Sequence, residues 1–162
     1  MRRYAWAIVA AAVLSGVSCN DALEGREVFE ATLSGAEEVP PRPTAANGTA
    51  QIYIDGDLIS YAIEVDDITS ITAAHIHSGA AGVNGPIRLF LWPIVQGTTV
   101  PQVTTTDKGI LVEATVPSSN VSGVTYQELL TQMRSGGAYV NVHSVQFPGG
   151  EMRGTIRPLS LD

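Results

Sequence analysis

The chain is 162 residues long and carries 9 basic against 16 acidic side chains, a formal net charge of −7, and a single cysteine. The acidic balance argues against nucleic acid as a partner and against electrostatic docking on anionic lipid. One cysteine leaves no internal disulfide, so stability must come from a packed core or from a bound ligand.

Arg2 and Arg3 precede an apolar stretch over residues 4–14. That stretch is too short to span a bilayer, which takes about 20 apolar residues. It runs into Leu14-Ser15-Gly16-Val17-Ser18-Cys19, and the succession predicts a signal peptide over residues 1–18. Small residues followed by a cysteine resemble the lipobox of bacterial lipoproteins, with Leu14 further from Cys19 than in the commonest version. The resemblance implies cleavage before Cys19 and a diacylated N-terminal cysteine; an ordinary secretory signal is the alternative. Without Arg2 and Arg3 the balance is 7 bases to 16 acids, a net of −9. A lipid on Cys19, and no basic patch, would then hold the protein at a membrane. Asn20 follows Cys19 where an aspartate is associated with inner-membrane retention, which favours the outer membrane in a host that has one; the expected location is the outer membrane or cell surface, with a periplasmic or secreted protein as the alternative. Residues 19–26 read as a lipidated polar tether, and the 144 residues from Cys19 onward amount to one domain.

Residues 27–33 are a first strand candidate, followed by a loop over 35–48 with Pro40, Pro41 and Pro43. Proline fixes φ and donates no backbone hydrogen, so this loop reads as ordered but irregular. Strands at 49–54 and 58–65 flank Asp55-Gly56-Asp57, a hairpin signal because Asp and Gly accept the positive φ of tight turns. Ile59, Tyr61, Ile63 and Val65 alternate with polar or small residues, the period of a half-buried strand. Further strands are expected at 71–77, 86–92, 109–116, 138–143 and 151–157. In 109–116, Ile110, Val112 and Ala114 fall opposite Leu111 and Glu113. One helix is expected after Thr125, where Thr125 and Glu128 form a capping box. Its apolar stripe is Leu129, Leu130 and Met133, and Gly136-Gly137 ends it. The pattern predicts an all-β fold, an antiparallel β-sandwich or Greek-key barrel of about seven to eight strands with one short helix.

The whole histidine complement lies in two of these strands. His75 and His77 stand two apart in Ala73-Ala74-His75-Ile76-His77-Ser78, and His143 ends Tyr139-Val140-Asn141-Val142-His143. Residues two apart on a strand share a face, so His75 and His77 point together, and Tyr139, Asn141 and His143 form one polar face opposite Val140 and Val142. If the two strands meet, three neutral imidazoles suit copper or zinc, with a fourth position open and Tyr139 and Asn141 beside the ligands. The alternative is three histidines that hydrogen-bond within the sheet; without metal they would form a pH-sensitive patch. The Gly-rich segment 78–85 lacks the Lys and helix of a phosphate-binding loop. No nucleophile elbow is present. Trp92 and Tyr126 read as packing residues.

Five motifs stand in order along the chain: Leu33-Ser34-Gly35-Ala36-Glu37-Glu38-Val39-Pro40-Pro41, Ala74-His75-Ile76-His77-Ser78-Gly79, Gly82-Val83-Asn84-Gly85-Pro86, Gly137 to Ser144 through Tyr139, Asn141 and His143, and Pro148-Gly149-Gly150-Glu151-Met152-Arg153-Gly154. Together they resemble the CHRD domain, first described in chordin and widespread in bacterial exported proteins. The resemblance runs from about Phe29 to Arg157, implies an all-β domain, here bounded at residues 27–160, and leaves the activity open. Glu38 and Glu151 lie in its motifs, each a candidate fourth ligand or an acceptor for an imidazole N–H; the plainer expectation is surface carboxylates, or for Glu151 an ion pair with Arg153 or Arg157. A His-x-His strand with a distant histidine also faintly resembles copper-zinc superoxide dismutase, but a fourth copper histidine, the cysteine pair and a zinc subsite are missing. The expected function is thus a non-catalytic binding module with copper or zinc on His75, His77 and His143. A metal-free cell-surface module for an extracellular protein or polysaccharide is the rival, and a metalloenzyme the minor alternative.

Overall fold

In the computed structural model, which describes residues 26–94 and 104–159, apolar alternation builds the sheet strand by strand. The signal segment, Cys19 and the tether to residue 25 lie outside the described residues. β1 (Arg26–Ser34) turns Phe29, Ala31 and Leu33 inward, and β2 (Asn47–Asp55) turns Ala50, Ile52 and Ile54 inward. The two pair antiparallel along their full length, from Arg26 opposite Asp55 to Ser34 opposite Asn47. Gly56, with φ of 57°, turns the chain into β3 (Leu58–Ser78), as the Asp-Gly signal requires.

β3 corrects one expectation. The strands foreseen at 58–65 and 71–77 are a single strand of 21 residues. Asp67 and Ser70 carry positive φ of 53° and 57°, and the pairing to the neighbouring strand slips between Ile68 and Ile71. Such bulges bend a strand without ending it. The bend lets the first half of β3 pair with β2 and the second half with a different strand, β6.

β4 (Ile87–Trp92) and β5 (Thr104–Pro117) also pair with β3. In β5, Val112 and Ala114 pack against the core, whereas Ile110 is 46% exposed and does not share their burial. A register shift leaves Leu111 unmatched between Ile110 and Val112, which breaks the alternation. The helix α1 (Tyr126–Ser135) has the expected capping box: Thr125 Oγ1 accepts from the Glu128 N–H at 3.2 Å, and Glu128 Oε2 accepts from the Thr125 N–H at 2.7 Å. Leu129, Leu130 and Met133 are buried, Gly136 closes the helix at φ of 71°, and the Tyr126 hydroxyl donates to the Gly56 carbonyl at 2.8 Å.

β6 (Ala138–Ser144), β7 (Met152–Thr155) and the short β8 (Arg157–Pro158) complete the chain. The expected strand 151–157 divides at Ile156, which is buried and whose N–H donates to the Ala138 carbonyl at 2.9 Å. Among the described residues, all eight strands belong to one antiparallel sheet. β1, β2, β3, β6 and β7 form a closed ring, because β2 pairs with β3 and Ser34 of β1 pairs with Arg153 of β7. The architecture is therefore a five-stranded barrel, with β4 and β5 laid against β3 and β8 against β1. Its interior holds Phe29, Leu33, Ile52, Tyr61, Ile63 and Ile76, all essentially inaccessible to solvent. The Tyr61 hydroxyl donates to the Leu91 carbonyl at 2.8 Å, and burial pushes it up to about 12. Among the described residues no helix is long and apolar enough to cross a membrane.

Candidate metal site

The second half of β3 brings the two histidine phrases side by side. His75 stands opposite Asn141, His77 opposite Tyr139 and Ala73 opposite His143. Ala74, Ile76, Val140 and Val142 face the barrel interior, so the histidines, Tyr139 and Asn141 line the outer face. That face is covered: β4 runs beside β3 and puts Phe90 edge-on to His75 at 4.7 Å between ring centres. The loops around Gly85, Pro148 and Gly150 fold over the rest. His75 is only 6% exposed.

The three imidazoles converge. One ring nitrogen from each lies within 4.8 Å of the others. His75 Nδ1 and His143 Nε2 are 3.1 Å apart, close to the about 3.3 Å between two ligands on one tetrahedral ion with bonds of about 2.0–2.1 Å. Two backbone carbonyls fix the tautomers. His77 Nδ1 donates to the Gly85 carbonyl at 2.9 Å and His143 Nδ1 donates to the Pro148 carbonyl at 3.0 Å. A carbonyl oxygen only accepts, so both Nδ1 atoms carry the proton and both Nε2 atoms present a lone pair. The His143 Nε2 lone pair accepts a hydrogen bond from the His75 Nδ1–H. The His77 Nε2 atom is buried and has no hydrogen-bond partner.

Electrostatics hold all three rings neutral, the form a metal requires. His75 is lowered to about 3 by burial first, then by the neighbouring His143 and His77. His77 is lowered by burial, partly offset by its bond to Gly85 and reinforced by His143 and Arg153. His143 is lowered by burial, with Pro148 and Glu38 acting against that and Arg153 with it.

Gly85 and Gly150 shape the cover. The Gly85 N–H donates to the Tyr139 hydroxyl oxygen at 3.2 Å while its carbonyl takes the His77 proton. A Cβ on Gly85 would collide with the Ser78 carbonyl oxygen. Gly150 has φ of 120°, and a Cβ there would strike the side chains of Asn141 and Glu38. The Tyr139 ring stacks on His77 at 4.9 Å with an 11° tilt, and the Arg153 guanidinium lies 4.4 Å from the Tyr139 ring centre.

The two candidate carboxylates are both buried, not on the surface, and neither has an imidazole as a hydrogen-bond partner. Glu38 is 2% exposed; its Oε2 accepts from Arg153 Nε at 3.0 Å and Nη2 at 2.8 Å, and its Oε1 accepts from Asn141 Nδ2. Glu151 is 5% exposed, accepts from the Thr44 hydroxyl at 2.7 Å and from the Ser144 hydroxyl, and thereby ties the Pro-rich loop to the end of β6. The arginine partner expected for Glu151 goes instead to Glu38.

Sequence reasoning missed Arg153 as part of this face. It also missed Asn84, whose Oδ1 accepts from Arg153 Nη2 at 2.6 Å, and Phe90. Nearness to Glu151 in the chain does not make Arg153 its partner; the signal in the sequence is that Arg153 alternates with Met152 and Gly154 on the strand across from Asn141.

The sequence model of the CHRD domain family matches residues 29–156, most of the chain. The chain belongs to the CHRD domain family. The match spans every element that builds the histidine face, from Phe29 in β1 to Ile156 after β7. No curated protein and no solved structure matches the chain.

Proposed function

We propose that this CHRD domain is a binding module that holds copper or zinc through His75, His77 and His143, carried at the bacterial cell envelope as a lipoprotein. The observation that carries the metal is the buried lone pair of His77 Nε2. Its ring is locked by Gly85 with that nitrogen turned away from every protein partner, next to two more neutral imidazoles. A buried acceptor left unmade costs about 1–3 kcal/mol, and a metal ion bridging the three nitrogens removes that cost. The supporting chemistry is three imidazoles held neutral, of which His77 and His143 already present a bare Nε2, while His75 Nδ1 would give up its proton on binding.

Attachment rests on the sequence: a signal segment before Cys19 and a lipid on that cysteine would fix the domain to the outer membrane or cell surface, where it would meet extracellular partners and metal ions.

Metal analysis of the purified protein tests the reading. One equivalent of copper or zinc is expected, with a melting temperature that rises on loading as mass action requires, by about 2.7 kcal/mol of stability at a hundredfold excess over Kd. Replacing all three histidines should abolish both. A protein that takes up neither metal and melts unchanged in their presence would overturn the proposal, in favour of a metal-free interaction module.

A further inference from the structure

We propose that the side-chain oxygen of Asn141 is the fourth donor of this site, a neutral amide oxygen set beside three imidazoles, and that the ion it completes is copper. The inference rests on the metal reading above and narrows it. Two buried side-chain atoms in the cluster lack a hydrogen-bond partner, His77 Nε2 and Asn141 Oδ1. Both carry lone pairs, both lie on the same outer face, and a single cation would satisfy both.

Position supports the assignment. Asn141 is 2% exposed, stands directly opposite His75 in the β3–β6 register, and precedes His143 by two residues on the same face. Directly opposed side chains have Cβ atoms about 4.5–5.5 Å apart, which sets Asn141 across from His75, diagonal to His77 and two residues from His143 on its own strand. Its orientation is fixed, because Nδ2 donates to Glu38 Oε1 and a carboxylate paired with Arg153 only accepts. The oxygen is therefore the arm left over.

The other oxygens of this face are engaged. Glu38 takes hydrogen bonds from Arg153 and Asn141, and Glu151 from Thr44 and Ser144. The Tyr139 hydroxyl oxygen accepts from the Gly85 N–H. All four donors are then uncharged. Zinc draws its oxygen ligands from carboxylates, whereas copper accepts a weak neutral oxygen beside strong nitrogen ligands.

The test uses the purified full chain loaded with copper. In the copper(II) form, protein carrying oxygen-17 in its asparagine side chains is compared with unlabelled protein, and broadening of the electron paramagnetic resonance lines by a bound oxygen-17 is expected. Asn141→Leu should remove that broadening, change the hyperfine pattern and lower copper affinity by about tenfold or more, the scale on which residues supporting a metal act. If Asn141→Leu does not fold, the oxygen-17 broadening in the unaltered protein decides alone. Copper(II) binding without that broadening overturns the assignment of Asn141 while sparing the metal site. Binding of zinc in preference to copper overturns it too. Failure of the unaltered protein to bind either metal instead removes the underlying reading, and this proposal with it.

Discussion

On the inner face of β3 and β6, Ala74, Ile76, Val140 and Val142 are buried among aliphatic neighbours; one residue along each strand, on the outer face, His75, Tyr139 and Asn141 are buried as well. The two faces are comparably dry, and they are held by different physics. Inside, attraction is non-directional and scales with the area removed from water, so many apolar side chains of the right volume would serve. Outside, nearly every polar group has a named partner: Glu38 with Arg153 and Asn141, Tyr139 with Gly85, and His77 and His143 with carbonyls. Against such complete pairing, two atoms without partners stand out. Burial alone thus identifies neither a core nor a site; the unpaired polar atoms on the outer face do.

Substitutions on the two faces should separate these modes of stabilisation. On the outer face, Arg153→Ala leaves the Glu38 charge buried without its cation, and breaking a buried pair in this way costs about 3–5 kcal/mol in chemical denaturation. Replacing Glu38 and Arg153 together with apolar residues of similar volume should recover most of that loss. Ile76→Ala on the inner face should cost about 2–5 kcal/mol through the cavity it opens, while leaving metal stoichiometry unchanged. A metal stoichiometry that falls with Ile76→Ala would mean that the two faces are not independent.

A smaller effect belongs to pH. His75 is lowered from 6.5 to about 3, and His77 and His143 are also lowered. Between those values the unfolded chain binds more protons than the folded one, so the metal-free protein should be fully stable above about pH 6.5 and lose stability steadily as pH falls toward 3. Replacing the three histidines should flatten that slope, measured as denaturation midpoints across the range. An unchanged slope would show that the outer face is not the origin of the acid sensitivity.

Much of the comparison was legible in the chain. Period-two alternation assigned Val140 and Val142 to one face and Tyr139, Asn141 and His143 to the other, because side-chain direction in a strand follows from local geometry alone. The capping box of Thr125 and Glu128 was equally local. The single long β3 was hidden, because Asp67 and Ser70 adopt positive φ where only glycine signals it. Glu38 and Arg153 are 115 residues apart, and nothing local predicts that a loop after β1 closes over β7. For the same reason Glu151 was misassigned to a neighbouring arginine when its partners are Thr44 and Ser144.

The central claim concerns the His77 lone pair, and side-chain nitrogen NMR of uniformly labelled protein reads it directly. In the metal-free protein His77 and His143 should both show protonated Nδ1 and bare Nε2. On adding one equivalent of zinc or copper(I), the Nε2 resonances of both should move to the range of coordinated nitrogen while the Nδ1 protons stay in place. Nε2 resonances that do not move with added metal would contradict the account.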